Sequence, residues 1–321
     1  MDMNHDALLF LALSDPVRIR ILYLLREMEL SVGELAQTLA QGQPRISKHL
    51  KVLIDCGLVG RRKEGNWVFQ RLGAPSLVDP VFALLDRWAE VHGRNPWLAA
   101  DATRLTAINA ERSAEAAAYF ATHAAEWDRL RALHVATEDV DDAILRAIGD
   151  HQLGELVDIG TGTGTMIHLL ADRADYMIGI DRSAEMLRFG RAKLLQDGIT
   201  NAELRQGDMN ALDLPSGSAD TVVLHQVLHY AHRPAVVIAE AARILKPTGK
   251  LIVVDVAPHD REELRREHAH ARLGFGDDEV LELMRAAHLN GRVEDHLAGG
   301  ALTITLWSAE PRPARLRAVR A

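Results

Sequence analysis

The fold is decided by one stretch, which reads Leu156-Val157-Asp158-Ile159-Gly160-Thr161-Gly162-Thr163-Gly164. An apolar run that ends in an acid and three alternate glycines predicts a buried strand turning tightly into a helix over residues 163–173. Glycine is needed in such a turn because a ligand lies there against bare backbone, close to the unpaired first amides of the helix. The stretch therefore predicts a ligand-binding turn.

Further apolar runs predict more strands after this turn, at residues 176–180, 202–206, 219–224 and 250–255. Asp181 directly follows the first of them, and Asp208 lies two residues after the second. In a doubly wound α/β sheet the carboxyl ends of parallel strands meet at one edge, where ligands bind. The order of strands and acids therefore predicts one ligand crevice in such a sheet. Residues 292–297 and 301–307 predict two last strands, which form an antiparallel sheet edge.

The main alternative is a nicotinamide dinucleotide site, which has the spacing G-x-G-x-x-G. Here the spacing is G-x-G-x-G, and Asp158 stands two residues before the first glycine. A carboxylate at that place repels a pyrophosphate and attracts an ammonium group. Residues 137–310 therefore resemble the class I S-adenosylmethionine (SAM)-dependent methyltransferases.

That resemblance implies a site for SAM or S-adenosylhomocysteine (SAH). The amino-acid part of the ligand would lie near Asp158 and the glycines, the ribose on Asp181, and the adenine near Asp208 and Met209. The full expected cofactor-binding set is Asp158, Gly160, Gly162, Gly164, Asp181, Ser183, Met186, Asp208, Met209 and His225.

The first hundred residues predict several short helices and a hairpin. Asp15 precedes Pro16 at one helix start, and Ser31 with Glu34 forms a capping-box pattern at another. A tight turn then leads to a polar-faced helix over residues 44–54, and two short strands follow around a Glu-Gly-Asn turn. This order is the plan of a winged helix-turn-helix, whose second helix enters the DNA major groove.

Charge supports a DNA-binding face. Residues 43–73 carry seven basic and two acidic side chains in a chain of net charge −8, which makes this region an anion-binding candidate. The motifs Leu13-Ser14-Asp15-Pro16-Val17-Arg18-Ile19-Arg20-Ile21-Leu22, Ile46-Ser47-Lys48-His49-Leu50-Lys51-Val52-Leu53 and Gly57-Leu58-Val59 resemble the ArsR/SmtB family of dimeric repressors, over residues 5–95.

On that resemblance, one set of residues would contact the operator. The expected major-groove contacts are Gln43, Arg45, Ser47, Lys48, His49 and Lys51, and the expected phosphate or minor-groove contacts are Arg61, Arg62, Lys63 and Asn66. The alternative is a solvated basic face on a dimerisation module. In this family the amphipathic helix over residues 77–92 pairs two protomers, so the expected partners are double-stranded DNA and a second copy of the chain.

No metal is expected. The family often senses metals through a Cys-x-Cys pair near residues 31–34, and this chain has one cysteine, Cys56. In the charged segment over residues 257–276, His268 and His270 are two apart on an expected helix, a poor spacing for a shared metal, and most of the segment's charge predicts a solvated helix face.

The expected domains are a winged-helix domain (residues 1–95), a helical linker or lid (96–136), the methyltransferase-like domain (137–310) and a flexible basic tail (311–321). No apolar run approaches the roughly 18 residues that cross a bilayer. We therefore expect a cytoplasmic, nucleoid-associated protein of bacterial type without a membrane partner.

Two functions remain open. The first is a repressor that uses SAM or SAH as its effector, because a DNA-binding module gives a ligand domain something to regulate. The second is an active SAM-dependent small-molecule methyltransferase, for which the catalytic candidates are His225, His229 and Tyr230. A third reading, a dimeric scaffold with two vestigial sites, predicts neither ligand nor DNA binding.

Overall fold

A computed structural model of the protein describes residues 3–64, 67–93, 95–123, 137–149, 153–299 and 302–312. The chain divides into two compact units, Met1–Ala114 and Glu115–Ala321. The segment expected as a linker over residues 96–136 is therefore shared between the units. Its residues 124–136 lie outside the described part, as does most of the expected tail, residues 313–321.

The first unit is mostly helical, with a small three-stranded antiparallel sheet of order β1-β3-β2. Its elements are α1 (Met3–Leu13), α2 (Pro16–Glu27), β1 (Leu30–Ser31), α3 (Val32–Leu39), α4 (Gln43–Asp55), β2 (Val59–Glu64), β3 (Trp67–Leu72), α5 (Pro75–His92) and the first part of α6 (Pro96–His123).

Capping side chains fix where these helices begin. The Asp15 carboxylate accepts a hydrogen bond from the Val17 amide at 2.8 Å, which starts α2. At the start of α3, Ser31 Oγ accepts from the Glu34 amide at 3.3 Å, and Glu34 Oε2 accepts from the Ser31 amide at 2.7 Å. This reciprocal pair is the predicted capping box. The turn at residues 40–42 then leads into α4, so α3 and α4 form the helix-turn-helix.

The second unit is an α/β sheet of seven strands in the order β6-β5-β4-β7-β8-β10-β9. The first five are parallel, and β10 is antiparallel to both of its neighbours. Its elements are α7 (Thr137–Ile148), β4 (Glu155–Ile159), α8 (Thr165–Leu170), β5 (Tyr176–Asp181), α9 (Ala184–Gln196), β6 (Ala202–Gln206), β7 (Ala219–His225), α10 (Pro234–Ile244), β8 (Leu245–Val256), α11 (Glu262–Glu267), α12 (Asp277–Ala286), β9 (Leu289–Ala298) and β10 (Thr303–Pro311).

Helices cover both faces of this sheet, because alternate residues of β4 belong to different hydrophobic cores. Leu156 packs in a core with Ile144 and Ile167. Val157 packs in the other core, which contains Val237 and Ile238 from α10. A strand buried on both faces has no polar alternation, which explains the apolar run. The predicted doubly wound sheet with an antiparallel edge is confirmed.

The helix expected to carry His268 and His270 is short. Within residues 257–276, helix α11 spans only Glu262–Glu267. His268 ends it, Ala269 takes a left-handed backbone with φ of 57°, and the His270 side chain is buried. His268 and His270 therefore do not share a helix as expected, since the turn carries His270 inward. Pro311, the first residue of the expected tail, is the last residue of β10.

None of the helices in the described ranges combines the length and the apolar character that crossing a bilayer requires.

Candidate ligand crevice and nucleic-acid interface

The glycine turn after β4 folds over the end of β5. The amides of Gly160 and Thr161 both donate to the Ile180 carbonyl, at 2.7 and 3.0 Å. Gly160 has φ of 75°, and a Cβ added there would lie 2.2 Å from Cγ2 of Val227. Only glycine fits this position, because both the left-handed backbone and the close approach exclude a side chain. The turn is consequently packed against the segment that follows β7.

Asp158 lies on β4 immediately before this turn, paired in register with Gly179 of β5 and Val223 of β7. Its side chain is buried, with 1% relative exposure. Burying a carboxylate among parallel strands costs free energy, because the group loses its hydration. Its presence in the core therefore favours a functional role.

Asp181 ends the neighbouring strand β5 and holds the glycine turn from the other side. Its Oδ2 accepts from the Gly162 amide at 2.9 Å, and its Oδ1 accepts from the Ser183 amide at 2.8 Å. Burial raises the pKa of the Asp181 carboxyl above its ordinary value, and these amide hydrogen bonds offset part of that rise. Ser183 itself caps α9, where its Oγ accepts from the Met186 amide at 3.2 Å.

Asp208 and Met209 follow β6, the next strand of the sheet. Asp208 is exposed, and its Oδ1 accepts from the backbone and side-chain nitrogens of Asn210, each at 2.8 Å. Met209 is half-buried and packs against the apolar core. Asp158, Asp181 and Asp208 thus stand at the carboxyl ends of three adjacent strands, as the sequence order predicted.

The three catalytic candidates surround the end of β7. His225 is the last residue of the strand and is buried, while His229 and Tyr230 lie in the short turn Leu228–Tyr230. His229 Nδ1 lies 2.7 Å from Asp255 Oδ1, at the end of β8. Sequence reasoning missed Asp255 as a partner, although an acid at the end of the last parallel strand was the signal available.

These residues fit a ligand with an ammonium group and ribose hydroxyls, because carboxylates accept hydrogen bonds from both. The steric requirement at Gly160 leaves bare backbone beside them. In the described ranges, His, Cys, Asp and Glu side chains nowhere form a group of three that fits a metal ion.

In the first unit, α4 has one buried and one exposed face. Ile46, Leu50 and Leu53 are buried against the core. The residues expected to reach DNA that are exposed on this helix are Gln43, Arg45, Ser47, Lys48 and Lys51. On the β2–β3 hairpin, Arg61 and Lys63 are exposed as well. This basic surface has the shape and charge of a recognition helix with a wing.

Two residues expected on this face are turned inward. His49 is half-buried with Nδ1 3.7 Å from Asp15 Oδ1, and burial lowers its pKa. Arg62 donates from Nε to Glu29 at 2.6 Å and stacks over the Phe69 ring at 4.9 Å. Both have intramolecular partners that compete with a DNA contact. Asn66 lies outside the described residues.

The hairpin also exposes apolar side chains that the sequence prediction did not assign to the interface. Trp67 is 46% exposed, although its ring stacks on Phe69 with centroids 6.2 Å apart. Val68, its neighbour on β3, is exposed too. An aromatic residue beside a Glu-Gly-Asn hairpin turn was the signal that could have found this site.

Fold and sites together define a class of protein in which a winged-helix DNA-binding module is joined to an α/β domain with a small-molecule crevice. Residues 15–60 match the family model "Bacterial regulatory protein, arsR family", and residues 150–289 match "Methyltransferase domain". The chain belongs to the ArsR family through its N-terminal domain and to the class I SAM-dependent methyltransferases through its C-terminal domain.

Relatives match each half separately. A phosphatidylethanolamine N-methyltransferase from Cereibacter sphaeroides is 34% identical over 139 residues, which cover 41% of this chain and 68% of the relative. The arsenic resistance transcriptional regulator ArsR1 of Pseudomonas putida is 39% identical over 99 residues, covering 30% and 75%. Two other curated relatives are matched over less than half of their own length.

Among solved structures, the YcgJ protein of Bacillus subtilis superposes with a TM-score of 0.50 at 18% identity. The match covers 55% of this chain and 99% of that protein. It shows the fold of the second unit.

Proposed function

We propose that this protein is a homodimeric transcriptional repressor whose methyltransferase domain binds SAM or SAH as an effector that changes operator affinity. One observation carries the proposal. The acids Asp158, Asp181 and Asp208 meet at one edge of the sheet around the glycine turn, in a chain whose other unit exposes the basic face of α4.

Each crevice residue suits a different part of the proposed ligand. Asp158 suits the ammonium group of the amino-acid part, because a buried carboxylate attracts a cation strongly. Asp181 suits the two ribose hydroxyls, and its anchoring by the Gly162 and Ser183 amides fixes its orientation. Asp208 and Met209 suit the adenine, since one offers a polar acceptor and the other an apolar surface.

Exposed apolar side chains on the first unit support a dimer. Leu84, Trp88 and Val91 protrude from α5, and Phe10 and Leu11 protrude from α1. Trp88 is 63% exposed, which is unusual for so large an apolar side chain. A second copy of the chain covering this surface buries it and places two α4 helices for the two half-sites of an operator.

The name of the Pseudomonas putida relative refers to arsenic resistance, but the residues of this chain give little support for an arsenic-binding site. A soft-metal site uses several thiolates. Cys56 is the one cysteine of the sequence, and it is buried with its Sγ directed to the Leu53 carbonyl at 3.3 Å.

The free energy that must couple ligand binding to operator binding is modest. Helix α6 begins in the first unit and ends in the second, so it is a covalent route between them. A coupling free energy of about 1–3 kcal/mol changes operator affinity roughly 5- to 150-fold.

The test is fluorescence anisotropy of the full chain on its own upstream DNA at fixed salt, titrated separately with SAM and SAH. We expect an affinity change with at least one ligand, and no ligand effect for Asp181→Ala. Calorimetry on the same samples measures ligand binding directly. Operator binding that ignores both ligands, although calorimetry detects them, contradicts the effector role.

A second function, that of an active SAM-dependent small-molecule methyltransferase, is favoured by a separate observation. His229 Nδ1 lies 2.7 Å from Asp255 Oδ1. This is the side-chain pair expected of a proton acceptor, which a pure sensor does not need.

A further inference from the structure

A buried side-chain cluster lies at the ends of β7 and β8, beside the glycine turn. These strands are parallel neighbours with His225 in register with Val254, so the turn after β7 meets the end of β8. Val227 in this segment is the residue that packs against Gly160. His229, two residues further on, therefore belongs to the same edge as the proposed SAM crevice.

Asp255 organises the turn. Its Oδ2 accepts from the amides of Leu228 at 2.9 Å and His229 at 3.2 Å. Its Oδ1 accepts from the Val256 amide at 2.8 Å and lies 2.7 Å from His229 Nδ1. The carboxylate is fully buried, and these four nitrogens are the reason that it tolerates burial.

The contact with Asp255 fixes the tautomer of His229. An ionised carboxylate accepts hydrogen bonds and cannot donate them, so Nδ1 must carry the proton. In the neutral imidazole, Nε2 then holds a lone pair and faces away from Asp255. The ring is held further by its backbone, because the Arg272 amide donates to the His229 carbonyl at 3.0 Å.

Aromatic rings surround this imidazole. His270 stacks on it with centroids 4.1 Å apart, and Tyr230 lies at 4.0 Å. The Phe120 ring meets Tyr230 edge to face at 4.9 Å. His229 is only 4% exposed, so most of its ring is shielded by these neighbours. Flat rings of this kind suit an aromatic molecule better than an aliphatic one.

We propose that the second unit also carries a methyl-acceptor site, in which His229, positioned by Asp255, removes the proton of an aromatic hydroxyl. The proposal rests on the SAM binding of the proposed function. The acceptor oxygen forms a bond to the methyl carbon while the bond from that carbon to sulfur breaks. The hydroxyl proton passes to His229 Nε2, the products are a methyl ether and SAH, and the imidazolium returns its proton to solvent.

The alternative is that the pair only anchors the turn. Two substitutions separate these roles. His229→Asn places an amide N–H near the position of Nδ1 and keeps the hydrogen bond to Asp255, but it has no Nε2. His229→Gln places its amide near the position of Nε2 and loses the contact with Asp255. His296→Asn is the control, since His296 is half-exposed on β9 at the far edge of the sheet.

The probe is 6-hydroxyquinoline with labelled SAM and the full chain. This molecule offers a hydroxyl that must lose a proton and a ring nitrogen that carries none, and chromatography separates the two methylated products. General-base catalysis contributes about 10²- to 10⁴-fold. We expect His229→Asn to lose at least about 100-fold of O-methylation, with little change in N-methylation, thermal unfolding or SAH affinity.

A second readout does not depend on turnover. Histidine ¹⁵N resonances of the labelled full chain report which ring nitrogen of His229 carries the proton. We expect protonated Nδ1 and bare Nε2 in the SAH complex, and a shift of the Nε2 resonance on adding 6-hydroxyquinoline.

The proposal is overturned if the wild-type chain binds SAH but methylates neither atom of the probe. It is also overturned if His229→Asn retains O-methylation, if both products fall equally, or if Nε2 carries the proton. Failure of the wild-type chain to bind SAH in calorimetry instead refutes the proposed function, so the two failures are distinguishable.

Discussion

Arg20 and Asp101 form a two-pronged ion pair that fixes the start of α6 to α2. Arg20 Nε donates to Asp101 Oδ2 at 2.6 Å, and Nη2 donates to Oδ1 at 2.7 Å. The Asp101 carboxylate is 2% exposed, and Arg104 reaches the same Oδ1 at 3.2 Å. The pair raises the pKa of the Arg20 guanidinium. The first turns of α6 are therefore a rigid part of the DNA-binding unit.

Asp101→Ala should strongly destabilise the first unit. Removal of one partner leaves a partly buried guanidinium without its counter-charge, which costs about 3–5 kcal/mol. Urea unfolding of the full chain, followed by tryptophan fluorescence, measures the loss. Asp86→Ala is the matched control, since Arg26 donates to both Asp86 oxygens from a much more exposed position. Its expected loss is at most about 1 kcal/mol, and equal losses in both variants contradict the prediction.

Arg45→Ala with Lys48→Ala should weaken operator binding and flatten its salt dependence. Both side chains are exposed on α4 opposite its buried face. Cationic side chains in the groove also displace counterions from the neighbouring phosphates, and each phosphate no longer neutralised removes about 0.9 from the slope of log affinity against log salt. Anisotropy at several salt concentrations measures this slope. Arg292→Ala, an exposed arginine on β9, should leave it unchanged, and an unchanged slope in the α4 variant means that the DNA face is elsewhere.

Trp67→Ala should weaken DNA binding without a matching change in the salt slope. The side chain is exposed at the turn end of the hairpin, where Trp67 pairs with Glu64 and is followed by the Lys63–Val68 pair. An apolar ring contributes contact with sugars and bases, and it neutralises no phosphate. Trp67→Phe should retain most of the affinity. Operator binding by Trp67→Ala at wild-type strength excludes the ring from the interface.

SAH affinity should fall on acidification because of Asp181. The ribose hydroxyls donate to the ionised carboxylate, and protonation removes that acceptor. Because burial raises the pKa of Asp181, the loss begins at a higher pH than the 3.8 of an ordinary aspartate would give. Calorimetry from neutral to mildly acidic pH follows it. Asp181→Asn should bind at least about tenfold more weakly and show no such step; an identical pH profile assigns the titration to another group.

Glu240 should stabilise the second unit at neutral pH and lose that effect in acid. Arg243 donates to both Glu240 oxygens at 2.8 Å, and the Leu212 amide donates to Oε2 at 2.9 Å. The hydrogen bond from Arg243 lowers the pKa of Glu240 in the folded state. Its contribution, about 1.5–3 kcal/mol for hydrogen bonds to a charged group, is therefore present above the unfolded pKa of Glu240 and disappears as the pH falls through the folded pKa.

Thermal unfolding of Glu240→Gln against the wild type at several pH values checks this. The difference in stability should be largest at neutral pH and vanish below the folded pKa of Glu240. If the stability difference between Glu240→Gln and the wild type persists unchanged in acid, the glutamine destabilises the protein for steric reasons and the charge of Glu240 does not contribute.

Local patterns predicted most of the fold. Ser31 and Glu34 predicted a helix start because a capping box involves residues three apart. The run before Gly160 predicted β4 because a strand covered on both faces needs unbroken apolar residues. In the site, the strand-end acids followed from chain order, since parallel strands all end at one edge.

What the sequence could not predict depends on contacts between distant residues. The turn at His229 is shaped by Asp255, which lies 26 residues away along the chain. His270 reaches the His229 ring because Ala269 takes a left-handed backbone, a conformation that nothing in the local pattern requires. The inward turn of Arg62 likewise depends on Glu29, 33 residues earlier.

The position of β10 determines the order in which the two halves of the protein are completed during synthesis. This strand inserts between β8 and β9 and carries the fully buried Trp307, so the sheet stays open until residue 311 has left the ribosome. The first unit has its own core and can close much earlier, because chains fold from the N-terminal domain during translation. During synthesis, therefore, the unit that we propose binds the operator is complete before the sheet that carries the proposed ligand crevice.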